Sequence, residues 1–301
     1  VKLSVIDQSP VSSGSTPADA LRNTIELAQL AERLGYERYW IAEHHASEML
    51  ACSAPEILLA RVGAETQAIR LGSGGVMLPH YSPMKVAEQF RMLHALYPGR
   101  IDLGLGRAPG GGPLETYALR RERTDRPMPD DFPDQLFELL AFLNRDFPDK
   151  HPFGRITLSP HMPGTPDVWL LGSSLWSASA AAQVGLPYAF AHFIDPAPTR
   201  EAIELYRGQF QPSKYLDRPY AIVALGALCA DTEAEAERLI QSARLVRKRF
   251  QTGVRGPVPT IEEAERELAQ SGPGAAGERT EWPRYYVGTP EAVHSGLTQM
   301  A

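Results

Sequence analysis

Cysteine is scarce: two residues in 301, Cys52 and Cys229. They form no CxxC pair and no zinc-ligand spacing. A disulfide framework and a thiolate metal knuckle are therefore excluded, and a reducing cytoplasm with both thiols in or near the core is expected. Positive charge is not in surplus either. Lys and Arg number 30 against 36 Asp and Glu, a formal net charge of −6, so the basic stripe that a nucleic-acid partner needs is missing. The short basic run at 244–249 reads as a solvated helix face. No apolar run is long enough to cross a bilayer, and Val1-Lys2-Leu3 leads straight into strand-like sequence without the pattern of a secretory signal. The expectation is a soluble intracellular protein without a membrane partner.

What is present is 43% hydrophobic residues, ample for one large core. Short apolar runs rich in β-formers recur at 3–7, 38–42, 69–78, 101–106, 167–172, 187–193 and 220–230. Continuous runs of this kind suit parallel strands buried on both faces. Helical patterns lie between them. Thr16-Pro17 opens one, with apolar residues at Leu21, Ile25, Ala28, Ala31 and Leu34 before Gly35. Ser53-Ala54-Pro55-Glu56 has the spacing of a capping box. Ser82-Pro83, Asp131-Phe132-Pro133 and Thr289-Pro290 repeat the opening, and Thr232 with Glu235 starts a Glu- and Ala-rich helix.

Alternation of strand and helix implies a parallel sheet, either doubly wound or an eight-stranded barrel. Two connections are long, 107–131 and 250–288. The second is rich in Pro, Gly and charge and reads as an insertion in a single domain spanning 1–301, not as a second domain. Seven strands are found, and the helix opening at Thr289 runs to Ala301 with no eighth.

In α/β barrels the reacting groups sit at the carboxyl ends of strands. One such end is Gly172-Ser173-Ser174, followed by Ser177 and an Ala-rich helix. Free N–H groups at that helix start favour a phosphate, and Arg107, from another strand end, could add a bidentate guanidinium. The alternative is ordinary capping by Ser173 or Ser174, with Arg107 in a surface ion pair. Gly104-Leu105-Gly106 resembles the start of a dinucleotide fingerprint, but Pro109 and three glycines follow where a helix should open. Gly74-Gly75 inside a strand suits a flat ligand pressed on the backbone, a bulge, or a cis peptide. Glu43-His44-His45 has three readings: a hydrogen-bonded core rim, a metal site, or acid–base chemistry by one imidazole. The metal reading is the weakest, because adjacent strand residues point to opposite faces.

Taken in order, 3–10, 39–45, 72–79, 99–110, 169–174 and 287–290 resemble the bacterial luciferase-like flavin monooxygenases, in particular the MsnO8-type branch. The resemblance implies a TIM (β/α)8 barrel with insertions that binds reduced FMN (FMNH2) at the carboxyl ends of its strands. Arg107 and Gly172, Ser173, Ser174 and Ser177 would hold its phosphate. Gly74 and Gly75 fall where relatives carry a non-proline cis peptide under the flavin ring, and His44 falls on the catalytic histidine, flanked by Glu43 and His45. The implied reaction adds O2 to the flavin as a C4a-(hydro)peroxyflavin and passes one oxygen atom to a small organic substrate. Reduced flavin would come from a partner flavin reductase or from NAD(P)H used directly. The 250–288 stretch would serve as a lid, and the chain would form a homodimer. Gly106 replaces the family's reactive cysteine, a second phosphate arginine has only Arg123 and Arg126 as nearby candidates, and the last strand and helix have no counterpart. Other classes on the same residues are an F420- or NAD(P)H-dependent hydride-transfer enzyme, a non-catalytic flavin carrier and a metal hydrolase.

Overall fold

The computed structural model describes residues 2–119, 130–270 and 280–300. Strands β1 (Ser4–Asp7), β2 (Arg38–Ile41), β3 (Arg70–Ser73), β4 (Val76–Met77), β5 (Ile101–Gly106), β6 (Asp167–Gly172), β7 (Tyr188–Ala191) and β8 (Ala221–Ala224) form one parallel sheet in the order β1-β2-β3-β5-β6-β7-β8, with β4 also on β5. Outside it lie α1 (Pro17–Arg33), α2 (Pro55–Glu65), α3 (Pro83–Leu96), α4 (Pro113–Leu119), α5 (Phe132–Asn144), α6 (Leu175–Val184) and α7 (Thr199–Gln209). The sheet curls into a nearly closed barrel of the TIM type. Among the described residues no pairing joins β8 back to β1.

Several local expectations needed correction. The run at 69–78 is two strands, broken at a cis peptide between Gly74 and Gly75. The run at 220–230 is also two: β8, and β9 (Gly226–Cys229), which leaves the barrel and pairs in parallel with β10 (Tyr285–Gly288). That pairing turns Val287-Gly288 into strand, and Cys229 is exposed on this two-stranded sheet. The capping box at Ser53 is not formed. Pro55 starts α2, so Ala54 occupies the cap and has no side chain to offer. Thr16 does cap α1, in a reciprocal box with Asp19. The stretch 250–288 holds the end of α9 (Gln241–Thr252), which follows α8 (Glu233–Leu239), then α10 (Ile261–Ala269) and β10, with α11 (Pro290–Met300) after it. The basic run at 244–249 lies on α9, where Arg244 pairs with Glu237 and Arg249 with Glu267. Among the described residues no helix is long and apolar enough to cross a membrane.

Strand alternation divides the core into two layers. Tyr39, Ile41, Leu71, Leu103, Leu105, Leu170 and Phe190 face the helices. The other face looks into the barrel. Cross-strand register places Ile6 beside Trp40 and Trp40 beside Gly72. The same register sets Gly72 beside Asp102 and Gly104 beside Trp169. Trp40 and Trp169 meet edge to face at 5.2 Å between ring centroids. The Trp40 indole N–H donates to Asp102 over 2.9 Å. Asp102, fully buried, also takes Arg70 Nε at 3.1 Å, and Arg38 Nε lies 3.2 Å from it. The Arg38 guanidinium in turn covers the Trp169 and Tyr220 rings at 5.1 and 5.7 Å. These groups plug the amino end of the barrel. Toward the carboxyl end most inward positions are small, Gly74, Gly106, Ala191 and Ala224, with Leu171 the larger exception. The small residues leave the upper barrel hollow. Gly104, level with Trp169, is packed tightly, since a Cβ there would lie 2.1 Å from the Ser73 carbonyl oxygen.

Candidate active site at the carboxyl end of the barrel

The stretch Glu43-His44-His45 leaves β2 where the hollow begins. Alternation continues past the strand, so His44 parts from Glu43 and His45. Glu43 goes to the helix side, where it is almost wholly buried and takes three donors. The Met77 N–H donates to Oε2 at 3.0 Å, the Tyr81 hydroxyl to Oε1 at 2.6 Å, and His45 Nε2 lies 2.7 Å from Oε1. His44 falls on the opposite, barrel-interior side with Trp40. Its backbone N–H donates to the Cys52 carbonyl at 2.9 Å. Its Nδ1 is buried without a partner in the described residues. Burial, and secondarily the neighbouring His45, push the His44 imidazole below its ordinary pKa. Its surroundings therefore favour the neutral imidazole, the form that can take up a proton in acid–base chemistry. His44 and His45 do not converge, and among the described residues no group of three or more His, Cys, Asp or Glu is placed to hold a metal ion.

The Gly74-Gly75 cis peptide lies beside this histidine's strand, where the Gly74 N–H donates to the Ile41 carbonyl at 2.8 Å. Neither residue has room for a side chain. A Cβ on Gly74 would meet Ile6 Cδ1 at 2.9 Å, and one on Gly75 the Gly104 carbonyl at 2.8 Å. The Gly74 backbone is thus packed against Ile6 and Trp40, and the Gly75 backbone against β5.

At α6, Ser174 is the N-cap and accepts from the Ser177 N–H at 3.4 Å. The Ser177 hydroxyl turns inward, donating to the Ser174 carbonyl at 2.8 Å and lying 2.9 Å from the Tyr188 hydroxyl. Gly172 is required by this turn, because a Cβ there would stand 2.3 Å from Ser177 Oγ. Ser173 and Ser174 remain on the open side of the turn, and the N–H groups of the first helical residues have no acceptor within the helix. Arg107 lies next to the same helix start. Its guanidinium stacks over Trp176, in the first turn of α6, at 4.3 Å, and is paired with Asp130. The structure thus brings Arg107, Ser173 and Ser174 to one place, with Ser177 behind them as a brace. In the ligand-free protein Ser174 caps and Arg107 sits in a surface ion pair, as the plainer reading of these residues also expects. Arg123 and Arg126 lie outside the described residues.

Three partners were missed from sequence. Tyr81 sits two residues past the 72–79 motif and Trp176 one residue before Ser177, but an aromatic beside a strand end ordinarily reads as core. Asp130 lies near the end of the long 107–131 connection, and no spacing rule links it to Arg107.

A family model described as Luciferase-like monooxygenase matches residues 1–300. A protein named Luciferase-like monooxygenase from Escherichia coli K12 is 42% identical over 86% of this chain and 76% of its own length. The N-acetyl-S-alkylcysteine monooxygenase of Bacillus subtilis is 42% identical over 88% of this chain and 78% of its own. The crystal structure of apo-MsnO8 superposes with a TM-score of 0.92 at 50% identity, covering 100% of this chain and 89% of that one. A nearly closed parallel barrel with its small-residue hollow, and agreement along the full chain with relatives of this kind, make the protein an enzyme that belongs to the luciferase-like monooxygenase family.

Proposed function

We propose that this chain binds reduced FMN in the hollow upper barrel and uses O2 to oxygenate a small organic substrate. The observation that carries the reading is the His44 imidazole, its Nδ1 without a partner in the described residues, on the same barrel face as the small inward residues Gly106, Ala191 and Ala224. A flat ring fits such a surface, and the His44 imidazole beside it is placed for acid–base work and not for holding the ring. The phosphate would lie at the start of α6, on Ser173, Ser174 and Gly172, with Arg107 swinging from Asp130 to meet it. Bound there, reduced FMN supplies the activation of O2. His44 holds or delivers the proton at the reacting centre, Glu43 and His45 fix the peptide that carries it, and the Trp40–Trp169 plug keeps water from entering below.

Within the 250–288 stretch, residues 250–270 serve as cover for the mouth of a single 1–301 domain, and 271–279 lie outside the described residues. Two contacts support this: Val258 pairs with the loop after β1, its N–H donating to Val11 at 2.8 Å, and Arg255 reaches Glu115 at 3.5 Å. Electrons would come from NAD(P)H directly or through a flavin reductase. The B. subtilis relative's name makes N-acetylated S-alkylcysteine thioethers the first substrates to try. The deciding experiment is anaerobic titration with FMNH2 and with reduced F420, then mixing with O2 and substrate. Uptake of FMNH2 and an oxygenated product support the reading. Binding of F420 alone, with hydride transfer and no need for O2, replaces it.

Arg107→Ala should weaken FMN by about 1.5–3 kcal/mol, the worth of a hydrogen bond to a charged group, or roughly tenfold to a hundredfold in Kd. Fluorescence quenching reads this directly, and unchanged affinity removes Arg107 from the phosphate site. A homodimer is also proposed. Leu27 and Leu30 on α1 and the C-cap residue Leu34 stand exposed at helical spacing, with Ile57 exposed on the adjoining α2. Sedimentation velocity should give twice the chain mass, and Leu30→Glu should return a monomer. A monomeric wild type at micromolar concentration ends that proposal.

A further inference from the structure

The buried Glu43 carboxylate does more than steady its neighbour. It accepts from Met77, two residues beyond the Gly74-Gly75 break, and from Tyr81 and His45. The His45 backbone N–H reaches across to the Gly110 carbonyl at 3.2 Å. His80, edge-on to His45 at 6.0 Å and to Tyr81 at 6.3 Å, has its Nε2 2.7 Å from the Pro109 carbonyl. Because a carbonyl only accepts, His80 must carry its proton on Nε2. Gly110 has φ +60°, and a Cβ there would strike Met77 Sδ at 1.8 Å. The loop that begins at Arg107 is therefore gripped at Pro109 and Gly110 by the same cluster that holds Glu43.

We propose that Tyr81 is a positioning residue: through Glu43 it holds the His44 peptide, the Gly74-Gly75 break and the Arg107 loop in one register. None of these contacts touches the barrel hollow, so the cluster acts only through what it holds. Tyr81 is well suited to the part. A carboxylate demands a donor, and burial together with Glu43 pushes the phenol above its ordinary pKa, so the proton stays on it. Without that hydroxyl, a nearly inaccessible carboxylate loses one of three donors. His45 and Met77 must then shift to satisfy it, and the loop at 108–110 shifts with them.

The inference rests on the flavin reading only for its consequence, so the first measurement uses no flavin. In hydrogen–deuterium exchange on the ligand-free protein, Tyr81→Phe should raise exchange at 76–81 and 108–112 by about tenfold or more, the worth of a hydrogen bond to a charged group. Helices α7 and α9 should be unchanged. His80→Ala should loosen 108–112 alone, and His80→Gln, which can still donate to Pro109, should restore it. The His80 pair carries the test if Tyr81→Phe does not fold. In the second measurement Tyr81→Phe should weaken FMN by about tenfold. Exchange that is unchanged, or raised equally over the whole chain, overturns the clamp, as does a His80→Gln variant no tighter than His80→Ala. Exchange that responds as stated in a protein that takes up no flavin leaves the clamp standing and ends the flavin reading.

Discussion

His44→Ala should leave FMN affinity nearly unchanged and cut product formation roughly a hundredfold or more, the usual contribution of a positioned acid–base group. The imidazole lies on the barrel face of its strand end, away from Arg107 and the start of α6, so its removal leaves the phosphate contacts intact. Loss of flavin affinity with turnover preserved would contradict the assignment. The same residue leaves a signature in pH. Burial and His45 lower its pKa in the folded state, so as pH falls through the unfolded value of about 6.5 the unfolded chain takes up the proton first. Stability is whole above that pH, declines as pH falls through it, and levels off below the lowered folded value. His44→Gln should flatten this decline between about pH 7 and pH 5 in denaturant titrations. The acid limb of the rate profile should likewise lie below the ordinary histidine value and move up in His45→Gln, which removes the neighbouring imidazole.

Asp102→Ala should cost about 3–5 kcal/mol of folding stability, the range seen when one partner of a buried ion pair is removed. Asp102 has no exposed surface and faces Arg38, Arg70 and the Trp40 N–H. Without it two guanidiniums and an indole N–H face one another at the amino end of the barrel. Urea unfolding measures the loss. A cost under about 1 kcal/mol would show that water enters from the amino end and solvates both arginines, as at a surface pair. Flavin affinity in the surviving folded protein should change little, because the Trp40–Trp169 layer separates the plug from the hollow.

The strand–helix alternation was legible because continuous apolar runs and Pro-headed helices carry their own punctuation. The register was not. Whether Trp40 faces Trp169 or a helix depends on pairing across strands distant in sequence, and a one-residue slip exchanges the two faces. Capping at Ser53 failed for a local reason: the proline that opens α2 decides which residue is the cap. Cys229 was misplaced because a strand continuous in composition, 220–230, divides between two sheets in space.

At the candidate site the chain alone supplied the chemical inventory: an acid and two imidazoles at one strand end, paired glycines at the next, and hydroxyls and a guanidinium near a helix start. Those are matters of residue type and short spacing, which a linear sequence carries in full. Only the tertiary structure decided how they divide. It turned His44 into the barrel while Glu43 and His45 went to the helix side, set Arg107 on Trp176, and joined Tyr81 and His80 to the network. Each of these contacts is made across strands or between a strand end and a remote loop. Their energy depends on distance and direction in space, which local propensity does not encode.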